Sequence, residues 1–230
     1  MDTGADPDAV TGVIFDFHGT LVDAHDPAEW VAAGQRLLVE RGIRGPHRDA
    51  DQVQRLAQHL DEIWVHAATV DPTSARDLSL ERHREVFAQA AALFPGAHPD
   101  LIDALYAAMP GQWVPYDDAV PVLRALKDRG VRVVLLSNIG IDVRDHLRAT
   151  GLADVLDDVV LSYEVGLVKP DPGIFARALD RLGRPAAQTL MVGDSASADV
   201  GGTALGIRTL ILPRRPGRVR GLGAVLRLVG

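Results

Sequence analysis

Val13, Ile14 and Phe15 form an apolar run that stops at Asp16, with Gly19 and Thr20 close behind. The run predicts a short buried strand over Val10–Phe17. A strand that ends in a carboxylate and a glycine turn fixes the acid and leaves the loop beyond it open to a ligand. From Asp26 to Met109 the pattern turns helical. Val53, Leu56, Leu60, Ile63 and Ala67 recur at helical spacing, as do Leu80, Val86 or Phe87, Ala90 and Phe94, and then Leu101, Leu105 and Ala108. Trp30, Ala33, Leu37 and Leu38 mark an earlier helix. Breakers at Gly42 to Pro46, Asp71-Pro72, Pro95-Gly96 with Pro99, and Pro110-Gly111 divide the block into about four helices.

After Pro115 helices alternate with strands. Helices are expected over Asp117–Arg129, Ile141–Thr150, Asp171–Leu182 (capped by Asp171, with Pro172 at its first position), Asp199–Leu205 and Leu222–Val229. Strands are expected over Val131–Leu136, Val159–Leu161, Thr189–Val192 and Thr209–Leu212. Such alternation implies an α/β fold, a Rossmann-like doubly wound parallel sheet with right-handed crossovers. The expected division is a core of residues 1–23 and 114–230, with an all-helical cap domain, 24–113, inserted after the first strand. An insert at that point would sit above the strand's carboxyl end as a lid.

Composition narrows the function. The net charge of −7 argues against nucleic acid, which needs a basic surface. The one basic cluster, Arg214, Arg215, Arg218 and Arg220, reads as a solvated loop. The absence of cysteine excludes disulfides and thiolate catalysis and fits a cytoplasmic address. Residues 1–12 lack the basic and apolar regions of a signal peptide, and no apolar run is long enough to span a bilayer. The expected partner is a small molecule, with neither nucleic acid nor membrane involved. The sequence leaves the oligomeric state, monomer or dimer, open.

Four groups of candidate residues each follow an expected strand: Asp16 with Gly19 and Thr20, Ser137-Asn138, Lys169-Pro170, and Gly193-Asp194-Ser195 with Asp199. In a parallel sheet those ends share one edge, so residues far apart in sequence converge. Asp16 and Asp194 offer the hard oxygen ligands that Mg²⁺ prefers, and Asp199 can hold its waters or the neighbouring ligands. Ser137, Asn138 and backbone N–H groups near Gly19 and Thr20 can bind a phosphoryl group. Lys169 supplies positive charge where negative charge develops. Asp16 can itself attack phosphorus.

The set resembles the haloacid dehalogenase superfamily. Its motifs match Asp16-Phe17-His18-Gly19-Thr20, Leu136-Ser137-Asn138, Val168-Lys169-Pro170-Asp171, and Val192-Gly193-Asp194-Ser195 with Asp199, in the family's order. The resemblance implies a helical cap of the type inserted after the first motif, Asp16 as nucleophile, and Ser137 and Lys169 on the phosphoryl group. It also implies Mg²⁺ held by the side chains of Asp16 and Asp194 and the backbone carbonyl of His18. Most members with this layout are phosphatases of small phosphorylated metabolites.

One position departs from the pattern. Phosphatases of the family carry a second aspartate two residues after the nucleophile, and here it is His18. Three readings compete. His18 does the acid/base work, since imidazole titrates near neutrality. Alternatively the chain follows the family's haloacid dehalogenase or phosphonate hydrolase branches, which also lack that aspartate. Against the first of these stands the Asp194/Asp199 pair, since a halide leaving group needs no metal. Against the second, Asp26–Met109 contains no lysine to form a Schiff base. In the third reading the chain binds phosphoryl ligands and turns over poorly.

Within or beside the insert, His25, His47, His59, His66, His83 and His98 show no metal-ligand spacing. Trp30 and Trp64 read as core, and Arg36, Arg41, Arg44 and Arg48 as solvated surface.

Overall fold

The computed structural model describes residues 9–24, 26–43, 49–215 and 217–229. His25, Arg44, His47 and Arg48 lie outside them. The chain divides into two compact units, Met1–Asp23 with Pro115–Gly230, and Ala24–Val114. Strand β1 (Gly12–Phe15) is buried throughout and β2 (Val22–Ala24) is a short extended segment.

Among its described residues the second unit has five α-helices: α1 (Pro27–Glu40), α2 (Ala50–Asp61), α3 (Ile63–Val70), α4 (Leu80–Ala92) and α5 (Pro99–Ala108). Local chemistry sets their starts. Asp26 caps α1 by accepting from the Ala28 N–H, and Pro27 fills a first-turn position that needs no donor. Asp49 and Gln52 form a reciprocal capping box on α2. The periodic run from Val53 to Ala67 is one expected helix but two observed ones. Glu62 leaves helical geometry at φ −98°, ψ 12°, a local break that hydrophobic spacing does not register. Helices α1 and α5 pack closely at Gly34, where a Cβ would meet Leu105 Cδ2 at 2.7 Å. Trp30 Nε1 donates to the Leu105 carbonyl at 2.8 Å. Trp30 is buried as expected. Trp64 is half-buried, with the Arg76 guanidinium 5.4 Å from its ring centre. Arg36 and Arg41 are exposed.

His83 lies inside this unit, its Nδ1 3.0 Å from the Tyr106 hydroxyl. Burial, aided by the charge of Arg76, lowers its pKa to about 4, and burial pushes Tyr106 up to about 12. The native state therefore keeps His83 neutral, while the unfolded chain gains a proton below about pH 6.5. Stability is full above that pH and falls as pH drops toward 4. Urea titrations are expected to show about 2 kcal/mol less stability at pH 5 than at pH 8 from this group. His83→Gln, whose carbonyl still accepts from Tyr106, flattens that slope.

The chain then enters β3 (Trp113–Pro115), which pairs with β2 in a two-stranded sheet. It continues through α6 (Ala119–Asp128), β4 (Arg132–Ser137), α7 (Arg144–Ala149), β5 (Asp158–Leu161), α8 (Ser162–Val165), α9 (Pro172–Leu182), β6 (Thr189–Gly193) and β7 (Arg208–Ile211). The main sheet runs β5-β4-β1-β6-β7 with every pairing parallel. Helix α9 lays Ile174, Phe175, Ala178 and Leu182 on Ile14, Val134, Leu136, Val160 and Met191 of the sheet. An α/β parallel sheet with flanking helices is the expected fold.

Several elements differ from expectation. Helix α7 begins at Arg144 rather than at Ile141. Ile139, Ile141 and Val143 are buried from an irregular loop, so apolar residues ahead of the helix belong to the core without being helical. Asp199–Leu205 and Leu222–Arg227 are 3₁₀ rather than α-helices. Gly201 and Gly202 weaken the first, and Gly223 the second.

Candidate active site

The register of the sheet builds the site. Phe15 lies level with Leu135 on one side and Val192 on the other, so Asp16, Ser137 and Asp194 all leave the sheet at one edge. The backbone after Asp16 then folds into a tight turn. The Phe17 carbonyl accepts from Leu21 N at 2.8 Å and Val22 N at 3.1 Å, and Gly19 N donates to the Val22 carbonyl at 2.8 Å. Gly19 has φ +80°, a conformation that side-chain-bearing residues rarely adopt, and a Cβ there would collide with the Asp194 carboxylate. The turn and Asp194 can approach only because this residue is glycine.

Lys169 is 5% exposed and reaches two carboxylates. Its Nζ donates to Asp16 Oδ1 and to Asp199 Oδ1, each at 2.7 Å. Burial alone would depress the ammonium, but Asp16 and Asp199 outweigh it and raise its pKa above the ordinary lysine value. Thr20 Oγ1 donates to Asp16 Oδ2 at 3.1 Å. Both oxygens of Asp16 are therefore oriented, and the residue is 7% exposed. A carboxylate so held is placed for attack on a phosphorus or carbon atom in front of it.

Two residues take parts different from those first expected. Asn138 turns its carboxamide toward Lys169 instead of into the site. Its Nδ2 donates to the Lys169 carbonyl at 2.9 Å and its Oδ1 accepts from Lys169 N at 2.7 Å. It positions the lysine. Asp199 is wholly buried, with Oδ1 on Lys169 and Oδ2 on the backbone N–H of Ser195 at 2.9 Å. Its oxygens anchor the lysine and the loop that carries Asp194, which suits it less for direct metal ligation than Asp16 or Asp194. Ser137 is buried at the carboxyl end of β4.

The acidic cluster fits a hard divalent cation. Asp16, Asp194 and Asp199 each offer a carboxylate oxygen, all within 4.8 Å of one another. Burial, reinforced by Asp16 and Asp199, raises the pKa of Asp194, while Arg214 and Arg220 offset part of the rise. An excess of negative charge that resists ionisation is what a bound cation relieves. His18 is half-buried beside this cluster. Burial and then Arg214 lower its pKa, and Asp16 and Asp23 recover part of the loss.

The basic cluster is not simply a solvated loop. Arg220 is 4% exposed and spends its guanidinium on backbone: Nε on the Gly19 carbonyl at 2.6 Å, Nη1 on Pro213 at 2.7 Å, and Nη2 on Leu212. Asp118 accepts from the N–H groups of Arg220, Gly221 and Leu222 at 2.9, 2.8 and 2.8 Å. Arg214 donates to Asp23 Oδ1 at 2.6 Å, and its Nε lies 3.8 Å from Asp194 Oδ2. Ser162 is fully buried and grips both backbone groups of Ile139. Ser162 directly follows β5 and Arg214 lies three residues past β7, but no motif marks them, and only the density of arginine signalled Arg214 and Arg220.

Comparison with known proteins adds family to geometry. A protein-family model described as haloacid dehalogenase-like hydrolase matches residues 10–204. The chain is 31% identical over 138 residues to the haloacid dehalogenase-like hydrolase domain-containing protein 3 of Danio rerio, covering 59% of this chain and 57% of that protein. It is 31% identical over 178 residues to the pyrimidine 5'-nucleotidase YjjG of Escherichia coli, covering 76% of this chain and 75% of that protein. Among solved structures, a 2-haloacid dehalogenase from Pseudomonas syringae superposes with TM-score 0.58 at 25% identity, covering 88% of this chain and 86% of that one. Motif residues at one sheet edge, an inserted helical unit and a family match over most of its length lead to one conclusion: the chain belongs to the haloacid dehalogenase-like hydrolase family.

Proposed function

We propose that the chain is a Mg²⁺-dependent phosphatase of a small phosphorylated metabolite, working through an aspartyl-phosphate on Asp16. One observation carries this reading. Asp16 and Asp199 share a single buried ammonium, Lys169, and Asp194 offers a further carboxylate oxygen within 4.8 Å of theirs, so the cluster has negative charge to spare. A reaction that only expels halide has no use for that surplus, whereas phosphoryl transfer uses the cation it attracts. The nucleotidase relative supports the same class of substrate.

Asp16 and Asp194, with the His18 backbone carbonyl, would hold Mg²⁺, which when bound neutralises charge on the phosphoryl oxygens. The chain's own residues do the rest. An Asp16 carboxylate oxygen attacks phosphorus as the bond to the leaving oxygen breaks, and that oxygen takes a proton. Water then attacks the phosphorus of the aspartyl-phosphate, the bond to Asp16 breaks, and inorganic phosphate leaves. Lys169 and Ser137 hold the phosphoryl group throughout, while the Gly19 N–H and the Thr20 hydroxyl, spent on the Val22 carbonyl and on Asp16, shape the turn and orient the nucleophile. His18 would take part in these proton moves. The helical unit, residues 24–113, would select the substrate and exclude water.

The dehalogenase neighbour and the missing second aspartate favour a second reading, hydrolysis of a carbon–halogen bond. One assay separates them. Hydrolysis of an aryl phosphate that a chelator abolishes supports the phosphatase. Halide release from a 2-haloacid that ignores chelator supports the dehalogenase. If neither occurs and a phosphate analogue still binds, the chain is a phosphoryl-binding protein.

His18→Asp tests the departure directly. An aspartate there restores a conventional acid/base, so turnover of an alkyl phosphate, whose leaving oxygen needs a proton, is expected to rise about tenfold or more. An aryl phosphate, with its better leaving group, gains less. Collapse of both rates would show that imidazole fills a role a carboxylate cannot.

A further inference from the structure

We propose that Arg214 sets the affinity of the acidic cluster for its metal, acting as a resident counter-cation on Asp194; the inference rests on the reading of Asp16 and Asp194 as metal ligands. The guanidinium sits between two carboxylates, with Nη2 2.6 Å from Asp23 Oδ1 and Nε 3.8 Å from Asp194 Oδ2. It is not a side chain that drifts there. Asp23 is itself fixed, its Oδ2 accepting from the Tyr116 hydroxyl at 2.9 Å. Six residues on, Arg220 ties the same segment to the Gly19 carbonyl and to its own backbone at Leu212 and Pro213. Asp118 holds that anchor from the other side. The packing at Gly19 shows how close these parts lie, since a Cβ there would reach 3.1 Å from Arg214 Nε as well as striking Asp194.

A divalent ion arriving at Asp194 thus meets a positive charge that Asp23 already holds beside the same carboxylate. The ion must share Asp194 with Arg214 and bear its repulsion. The guanidinium is half-exposed, so solvent screens the effect, and removing the charge is expected to tighten metal binding by about fivefold. The device keeps the site from holding its cation too firmly when no phosphoryl group is present to share it. A phosphorylated substrate supplies the missing negative charge and shifts the balance, so metal and substrate bind with mutual support.

Direct titration of Mn²⁺ onto the full chain without substrate, followed by electron paramagnetic resonance of the free ion, tests this without reference to activity. Arg214→Gln is expected to bind Mn²⁺ about fivefold more tightly than the original chain. Arg214→Lys, which keeps the charge, is expected to stay within about twofold of it. Arg215→Gln, the same charge change one residue away, is the reference. An Arg214→Gln affinity equal to that of Arg215→Gln, or weaker than the original, overturns the role of Arg214 and leaves the metal reading intact. An original chain that binds no Mn²⁺ overturns the metal reading itself, and the inference with it.

Discussion

Asp16→Asn is expected to reduce turnover of an aryl phosphate by about a thousandfold or more, with the fold intact. The amide cannot attack phosphorus, and no other described carboxylate can replace it. Asp199 is enclosed behind Lys169, and Asp194 is held beside Gly19 and Arg214. The substitution preserves shape, and Lys169 keeps its bond to Asp199, so far- and near-ultraviolet circular dichroism should match the original. A residual rate near the original would remove Asp16 from the chemistry.

The second large effect belongs to Lys169→Met. The change strands Asp16 and Asp199, which share that ammonium in a site where Lys169 is 5% and Asp199 0% exposed. Removing one partner of a buried ion pair costs about 3–5 kcal/mol, because the remaining charges are left without compensation. For a chain of this size that lowers Tm by about 6–20 °C. Activity falls with it, since Lys169 both orients Asp16 and faces the transferring group. Mg²⁺ should return part of the lost Tm, because a divalent cation supplies positive charge to the same carboxylates. Calorimetry with and without Mg²⁺ checks both parts. A Tm unchanged by the substitution would mean that Lys169 does not hold the carboxylates together.

Both predictions concern residues that the sequence exposes plainly. Asp16 directly follows β1, whereas Lys169 lies eight residues past β5 with α8 between, and its side chain still reaches Asp16 because β5, β4 and β1 are parallel neighbours. Periodicity carried the helical unit and the sheet for the same reason, as buried faces impose spacing. It failed where burial occurs without regular structure. Ile139, Ile141 and Val143 are buried from a loop, and Glu62 divides two helices that share one apolar rhythm.

The orienting residues were less legible. Asn138 has the composition of a phosphoryl ligand, and only the structure shows its carboxamide turned onto the backbone of Lys169. Asp199 reads as a support for the metal's waters or ligands, and only the structure shows that its oxygens are spent on Lys169 and on the Ser195 N–H. Arg214 and Arg220 belong to a charge run, and most such runs are solvated. What sets these two apart is contact with Gly19, Asp23 and Asp194, between 20 and 201 residues away. No local pattern encodes a contact of the longer kind. Residue type shows which groups can do chemistry, while the assignment of each group to substrate, metal or scaffold depends on which of its atoms are already spent.

The central claim is a covalent aspartyl-phosphate on Asp16, and the measurement that tests it most directly is mass spectrometry of acid-quenched enzyme after brief exposure to an aryl phosphate. The account predicts one phosphoryl group on the peptide carrying Asp16, formed with Mg²⁺, absent with chelator and absent in Asp16→Asn. Steady hydrolysis with no phosphoryl group on that peptide, or with one on a different residue, would contradict it.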